Sequence, residues 1–338
     1  VHLDSFGFET MAGAAASSSA AAGAPLHVTG FYIVLWYALN VGYNVFNKRT
    51  CNTFPYPWTV GTLSLGAGLV YALALWGSGT RRVPSLESSD LSKLLVIAVL
   101  HSIGHFGAVI SMSAGAVSFT HIVKAAEPVF STILSGIIMG DWAPWQVNAT
   151  LIPIVAGVAL ASAKELSFTW AAFGGAMISN LAFALRSIYM KRAMKDKEAN
   201  AAKGLTTANL YAVYTIMAFV LSIPVAVAME GADLVANWSL VTAQTPVSQL
   251  ARLNFLTGIF FYLYNEFASL ALGNLNAVAH AVCNTVKRVV IMVAINIAFQ
   301  QSMSNQAMLG SAIAIGGTLL YALVKDMVTK RKAAKKDE

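Results

Sequence analysis

The chain has 338 residues, of which 57% are hydrophobic and only 11% are charged, with a mean hydropathy of +0.64. A soluble domain carries about 25% charged residues, so this composition excludes an ordinary soluble protein and indicates a chain that lies in lipid. The net charge of +7 lies mostly in short loops and a basic C-terminal tail, which is typical of membrane topology and not of nucleic-acid binding.

The N-terminal segment, residues 1–27, contains the low-complexity run AGAAASSSAAAGA. We expect this segment to be disordered and to be what remains of a transit peptide. Asp4 and Glu9 argue against a complete transit peptide, because such peptides have few acidic residues.

Ten apolar stretches then follow, each long enough to cross a bilayer as a helix. They lie near residues 28–47, 57–77, 91–113, 116–139, 145–163, 170–192, 205–228, 249–272, 276–299 and 305–325. Only helices and closed barrels span a membrane, and these runs are too long and too apolar for barrel strands. The sequence therefore predicts an all-α integral membrane protein with ten transmembrane helices, joined mostly by short loops. Longer loops are predicted at Ser78–Asp90 and Glu230–Ser248.

A weak internal repeat divides the ten spans into two groups of five. A shift of 159 positions takes His121 to His280 and Gly157 to Gly316. An odd number of spans makes the second group insert upside down, which is the inverted repeat of many secondary transporters. We predict a first five-helix repeat over 28–163, a second over 164–326, and a basic tail over 327–338.

Basic residues are distributed unevenly between the two sides of the predicted membrane. One side holds fourteen of them, and the other holds four, with Lys48 and Arg49 among these four in a loop. The positive-inside rule then places both termini on the cytosol-like face, which for an organelle is its interior.

Four further cations, Lys124, Arg186, Lys287 and Arg288, lie inside predicted spans. A charge at the bilayer centre costs about 3 kcal/mol even on the lenient insertion scale, so four of them call for a polyanionic ligand. Glu127 lies three residues after Lys124, on the same predicted helix face. Its carboxylate either balances the ammonium charge until an anionic substrate binds, or simply forms a neutral ion pair with it. With Glu266 also counted, the ionised cavity carries about +2, close to what a phosphate ester balances. We expect this imbalance to make exchange obligatory.

Other polar groups in the spans are less decisive. His105 and Tyr264 are candidates to hydrogen-bond a three-carbon moiety. Six aromatic residues are interpreted as interfacial or packing anchors, namely Trp36, Tyr37, Trp58, Trp76, Trp142 and Trp145. The sequence has no metal-binding or hydrolase motif, so we expect neither an enzyme nor a cofactor. A channel is disfavoured, because a stack of cations at mid-membrane would trap its anion.

Several segments resemble the plastidic phosphate translocators of the drug/metabolite transporter superfamily. They are NVFNKRTCNTFPYPW, AVSFTHIVKAAEPVFS, GAMISNLAFALRSIYMKRAM, FYLYNE and HAVCNTVKRVV, in the family's order and across both halves. The resemblance implies ten helices, an inverted repeat and antiport of inorganic phosphate against phosphorylated C3, C5 or C6 compounds. It assigns the phosphate to Lys124, Lys287 and Arg288, and the rest of the substrate to His105, Arg186 and Tyr264.

The preferred carbon skeleton is harder to assign. His105 resembles the triose-, hexose- and pentose-phosphate members, and His280 resembles the triose-phosphate and phosphoenolpyruvate members, so together they favour triose phosphate. The segment SIGHFGAVISMS, with Ala108 where some members have a hydroxyl, is closer to the hexose and pentose carriers. Glu266 replaces a customary Gln, and it either lowers the cavity charge or pairs with a lysine.

We therefore predict an antiporter of the plastid inner envelope that exchanges phosphate for triose phosphate or 3-phosphoglycerate, with both termini in the stroma. Hexose-phosphate, pentose-phosphate and phosphoenolpyruvate antiport are the alternatives within the family, and nucleotide-sugar transport is a more distant one. The partners expected are these anions and membrane lipid, with no nucleic acid, for a protein that is a monomer or a weak dimer.

Overall fold

The computed structural model describes residues 26–163, 165, 167–273, 275, 277–300 and 303–334. All regular elements within these ranges are helices. Eight helices are long and apolar enough to cross a membrane, by length and composition. The prediction of an all-α membrane protein is confirmed. Of the predicted N-terminal segment 1–27, residues 1–25 lie outside the described residues, and the last two are helical.

Long helices occupy all ten predicted positions in the described part of the chain. They are α1 Leu26–Thr53, α2 Pro57–Gly77, α3 Ser88–Ala114, α4 Val117–Met139, α5 Trp145–Ala163, α6 Trp170–Ala193, α7 Thr207–Gln244, α8 Val247–Gly273, α9 Ala277–Phe299 and α10 Asn305–Ala334. Helices α1 and α8 are not among the eight apolar ones, since they carry polar residues such as Asn40, Asn44 and Glu266. Ten membrane crossings and their inverted repeat therefore stay a prediction.

Helix α4 is broken in the middle. Its first piece ends at Lys124 and its second piece, Glu127–Met139, begins after a turn at Ala125 and Ala126. Pro128 lies in the first turn of the second piece, where its missing N–H has no helical partner to lose. Lys124 and Glu127 consequently lie at two helix ends, and the prediction that they share one helix face is wrong.

Helix α7 runs through the segment for which a long loop was predicted. After Pro224, the backbone forms a π-helical turn at Val227–Gly231 and continues as a helix through Ala232–Gln244. A proline inside a helix removes one backbone donor, and local π geometry is a common way to absorb the defect. The predicted loop at Glu230–Ser248 is therefore mostly helical. Glu230 from this turn accepts hydrogen bonds from backbone nitrogens at the start of α2.

Lys48 is a buried cation that the sequence pattern placed in a loop. Helix α1 extends to Thr53, so Lys48 is helical and only 9% exposed. Its Nζ donates to three carbonyls at the end of α3, those of Met112 at 2.9 Å, Ser113 at 3.2 Å and Gly115 at 2.9 Å. A helix end leaves its last carbonyls without backbone partners, and a lysine ammonium is a suitable donor to them.

The helix pairs with the most extensive contacts join the two predicted halves of the chain. They are α3 with α6, α1 with α8 and α5 with α10. Glycines make two of these contacts possible, because a methyl group on Gly107 would lie 2.6 Å from the Gly175 carbonyl oxygen, and one on Gly157 would lie 2.6 Å from that of Gly310. Small residues allow such backbone contact between membrane helices. If each helix of the first half is exchanged for the helix five places later, and the reverse, the pair α3 with α6 becomes α8 with α1, and α5 with α10 is unchanged. This is the pattern expected of the predicted inverted repeat.

Helices α3 and α6 lie antiparallel along a seam that leads to the centre of the molecule. The hydroxyl of Ser111 donates to the Ala172 carbonyl at 2.6 Å, and Gly107 then meets Gly175. One turn further along α3, Gly104 lies against the ring of Phe183. The seam thereby fixes the relative position of the central side chains that α3 and α6 carry.

Candidate functional site

A cavity of about 340 Å³ lies at the centre of the helices and is lined by both halves of the chain. Its lining includes seven of the eight predicted site residues, Lys124, Lys287, Arg288, His105, Arg186, Tyr264 and Glu127. Glu266, although it is in the described part of the chain, is not among the lining residues. Helices α3, α4, α6, α8 and α9 together assemble the set that the sequence predicted.

Two lysines are held in the cavity in the same manner. Lys124 donates to the Ser179 hydroxyl at 2.7 Å and lies 4.7 Å from the centre of the Phe183 ring. Lys287 donates to Asn284 Oδ1 at 3.1 Å and lies 4.8 Å from the Trp36 ring. Each ammonium therefore has an uncharged oxygen and an aromatic face, and neither forms an ion pair within the described residues.

Arg288 forms the ion pair that Lys124 was expected to form. Its guanidinium donates to Glu127 Oε2 at 3.2 Å, across from α9 to the second piece of α4. The side chain of Arg288 is 10% exposed and that of Glu127 is 37% exposed. Glu127 thus neutralises an arginine of the other half of the chain, and the lysine charges are left uncompensated.

Arg186 has a different kind of partner. One of its terminal nitrogens donates to Nδ1 of His101 at 2.7 Å, and its guanidinium lies 4.7 Å from the Phe183 ring centre. His101 lies one helical turn before His105 on α3, is fully buried, and was not singled out by the sequence. The spacing of four residues between His101 and His105 places them on one helix face, and this was the signal in the sequence that could have identified His101.

His105 and Tyr264, which the sequence analysis assigned to the carbon skeleton of the substrate, both line the cavity. Since the Gly61 carbonyl can only accept, the contact of 3.1 Å between it and His105 Nε2 puts the ring proton on that nitrogen. A neutral His105 therefore offers Nδ1 as an acceptor. The Tyr264 ring packs beside Tyr43 and Phe261, with ring centres 5.3 Å and 5.8 Å away.

Glu266 forms its ion pair away from the cavity lining. It forms an ion pair with Arg81, a residue that follows the end of α2. Burial opposes the charged form of Arg81, but its hydrogen bonds to Glu266 raise its pKa above the ordinary value. With Glu266 removed from the count, the charged lining residues in the described chain are four cations and Glu127. The cavity charge is then +3 when the histidines are neutral, higher than the sequence count suggested.

Several lining residues were missed or misread from the sequence. Trp36 is 1% exposed, which fits the packing alternative and not the interfacial one, and it also lines the cavity and faces Lys287. His121 Nε2 bonds Asn44 Oδ1 at 2.8 Å, and Asn44 in turn donates to Asn40. These α1 residues recur every four positions, at 36, 40 and 44, a spacing that predicts a single helix face.

No group of three or more His, Cys, Asp and Glu side chains comes together in the described chain in a way that could hold a metal ion. His280, which the sequence comparison used for subfamily assignment, lies on α9, but its side chain is outside the described residues.

Comparison with known proteins gives extensive matches. A model of the triose-phosphate transporter family matches residues 27–322. The chain is 38% identical over 312 residues to the chloroplastic triose phosphate/phosphate translocator of Zea mays, covering 92% of this chain and 74% of that protein. It is 38% identical over 309 residues to the Spinacia oleracea protein of the same name, covering 91% and 74%. It is 39% identical over 302 residues to the chloroplastic glucose-6-phosphate/phosphate translocator 2 of Arabidopsis thaliana, covering 88% and 75%.

Proposed function

The chain belongs to the triose-phosphate transporter family, and on that basis we propose that it is a membrane antiporter that exchanges inorganic phosphate for phosphorylated three-carbon compounds. Curated relatives named as phosphate translocators support the exchange of phosphate. The observation that carries the proposal is the central cavity, in which four cations face a single carboxylate among the described lining residues.

The phosphate is bound by Lys124, Lys287 and Arg288. The two lysines come from different halves of the chain, have no carboxylate partner in the described residues, and are oriented by an aromatic ring and a neutral oxygen each. A dianion placed between them lowers the cavity charge from +3 to about +1. Charge-assisted hydrogen bonds to phosphate are about twice as strong as neutral ones, so the site favours a doubly charged ligand.

The carbon skeleton is read by His105, Arg186 and Tyr264. His105 Nδ1 accepts from a substrate hydroxyl, and the Arg186 guanidinium donates to an acidic or carbonyl group at the far end. Triose phosphate and 3-phosphoglycerate are the substrates we propose. Glucose 6-phosphate is the second candidate, since glucose-6-phosphate translocators are as similar to this chain as the triose-phosphate ones, and the hydroxyl-free Ala108 lines the cavity.

Exchange is obligatory in this proposal. An empty cavity would carry about +3 of uncompensated charge through the conformational change, whereas an occupied one carries only about +1. We propose the plastid inner envelope as the location, with both termini in the stroma, on the basis of the chloroplastic relatives and the basic-residue count. Protease protection of a C-terminal tag in intact and ruptured plastids tests this orientation.

The decisive experiment is counter-exchange of labelled phosphate in liposomes that contain the purified protein. Vesicles are preloaded with phosphate, dihydroxyacetone phosphate, 3-phosphoglycerate, a pentose phosphate, glucose 6-phosphate or no anion. We expect rapid uptake with phosphate and the C3 compounds inside and none into vesicles without a counter-anion. Uptake into those vesicles at a comparable rate would contradict obligatory exchange, and the absence of uptake with every preload would contradict phosphate antiport itself.

A further inference from the structure

We propose that His101 is a positioning residue for substrate selection. Its ring holds the Arg186 guanidinium in the cavity, and through that contact it sets the preference for substrates with an acidic group at the end remote from the phosphate. The inference rests on the proposed function and extends it to a residue that makes no contact with phosphate.

The chemistry of the two groups determines which of them donates and which accepts in the His101–Arg186 hydrogen bond. A guanidinium has five N–H donors and no acceptor, so in the 2.7 Å contact with Nδ1 the imidazole must accept. An Nδ1 that accepts carries no proton. His101 is therefore a neutral acceptor for Arg186 as long as the contact exists, and any proton on the ring is on Nε2.

A neutral partner leaves the charge of Arg186 available to a ligand. Two other buried or half-buried arginines, Arg288 and Arg81, are each paired with a carboxylate, Glu127 and Glu266 respectively. Arg186 has no carboxylate partner within the described residues, and its only hydrogen bond there uses one donor of five. An imidazole orients a guanidinium without neutralising it, so the remaining donors can bind a carboxylate by two parallel bonds.

The position of His101 is itself well defined. Helix α3 carries it along the seam with α6, next to the close contact between Gly104 and Phe183. Its ring lies 5.0 Å from that of Tyr214 and 6.2 Å from that of Phe183. The guanidinium of Arg186 therefore stacks on Phe183 at 4.7 Å while its end is fixed by a ring that cannot move far.

The second ring nitrogen of His101 argues against a purely structural hydrogen-bonding role. Nε2 is buried and has no hydrogen-bond partner in the described part of the chain. A buried donor without a partner is costly, and structural histidines are normally satisfied at both nitrogens. The bond to Arg186 is thus the one polar contact that the residue makes there. What competes with the proposal is a role as an aromatic filler among Phe183, Tyr214 and Phe261.

Two substitutions separate these roles. In His101→Asn the side-chain oxygen takes the place of Nδ1 and can accept from Arg186, while the aromatic ring is lost. In His101→Phe the ring is kept and the acceptor is lost. If His101 positions Arg186, the Asn variant keeps the substrate preference and the Phe variant loses it. A filler would give the reverse result.

The experiment measures exchange in liposomes for wild type, both variants and Arg186→Gln, with phosphate, glycerol 3-phosphate and 3-phosphoglycerate as external substrates. For the Phe variant we expect the apparent affinity for 3-phosphoglycerate to fall about tenfold or more, because an oriented charge-assisted contact is lost. We expect its apparent affinity for phosphate to change by less than about twofold. We expect the Asn variant to stay near wild type. The double variant of His101→Phe with Arg186→Gln should be no worse than Arg186→Gln alone, because one residue acts through the other.

Three outcomes would overturn the proposal. They are a Phe variant with wild-type preference, an Asn variant as impaired as the Phe variant while its phosphate exchange is normal, and additive losses in the double variant. Phosphate–phosphate exchange shows in each case that the protein is folded and inserted. A wild-type protein without any exchange would instead contradict the proposed function, so the two failures are distinguishable.

Discussion

Replacement of Lys287 by Met is the sharpest test of an uncompensated phosphate-binding cation. The change keeps an unbranched apolar side chain and removes the ammonium that lies over the Trp36 ring. Removing the ammonium costs one charge-assisted bond to Asn284 and one cation–π contact, and it relieves the burial of a charge with no carboxylate partner in the described residues. Because the relief exceeds the loss, we expect the phosphate-free protein to be more stable by about 1 kcal/mol.

The same change should weaken phosphate binding strongly. One charge-assisted hydrogen bond is worth about 1.5–3 kcal/mol, so the dissociation constant should rise about 10- to 150-fold. At a phosphate concentration of about one hundred times the wild-type dissociation constant, ligand binding adds about 2.7 kcal/mol to the stability of the wild type. A hundredfold weaker site leaves about 0.4 kcal/mol of that stabilisation.

The assay is thermal unfolding of the purified protein in detergent, with phosphate titrated against chloride at equal ionic strength. Arg288→Met is the informative comparison, because it leaves Glu127 without its partner. We expect it to lower the free energy of unfolding without phosphate by about 1 kcal/mol, a reduced penalty since the Glu127 side chain is 37% exposed. Lys93→Met, at an exposed position on α3, is the control. A Lys287→Met protein that phosphate stabilises as much as wild type would refute the reasoning.

Three further changes test features around the cavity. Glu266→Gln should lower stability by about 2 kcal/mol, because it leaves the half-buried Arg81 without a carboxylate. Gly157→Ala should cost about 1–3 kcal/mol, since its methyl group would lie 2.4 Å from the backbone nitrogen of Ala314. Lys48→Met should cost about 3 kcal/mol by leaving three carbonyls without their donor, and phosphate should still stabilise the variant. All three are measured by thermal unfolding with and without phosphate.

Two of these changes have a matched control within the chain. Glu198→Gln removes an exposed carboxylate, and Gly316→Ala adds a methyl group where nothing lies within 4 Å. We expect both to leave the midpoint nearly unchanged, or to raise it slightly for the alanine. Equal effects of Gly157→Ala and Gly316→Ala would contradict the backbone contact between α5 and α10. Loss of phosphate stabilisation in Lys48→Met would show that Lys48 contributes to the site.

The helical positions and the cationic set could be predicted because both depend on local chemistry. A run of apolar residues in lipid has to be helical, and a charge such as Lys124 or Lys287 in that run stands out against its neighbours. The break at Ala125 and Ala126 was partly visible too, since Pro128 marks the start of a helix more often than its middle.

The partners of those charges could not be predicted, because partnership depends on how helices distant in sequence pack. Glu127 lies 161 positions from Arg288, and Glu266 lies 185 positions from Arg81. The spacing along one helix favoured an ion pair between Lys124 and Glu127. The turn of two residues between them was enough to give Glu127 a different partner, Arg288. His101 was missed for a similar reason, since its importance comes from Arg186 on a different helix.

The glycine contacts between α3 and α6 bear on how such a molecule can be divided into moving parts. The backbones of the two helices are in direct contact at Gly107 and Gly175, with no side chain between them. Helices α3 and α6 therefore resist sliding and separation. One of them comes from each half of the sequence, and the same is true of α1 with α8 and α5 with α10. Each rigid unit of the protein therefore contains helices from both halves of the sequence. A hinge placed between residues 163 and 167 would separate helices that move together.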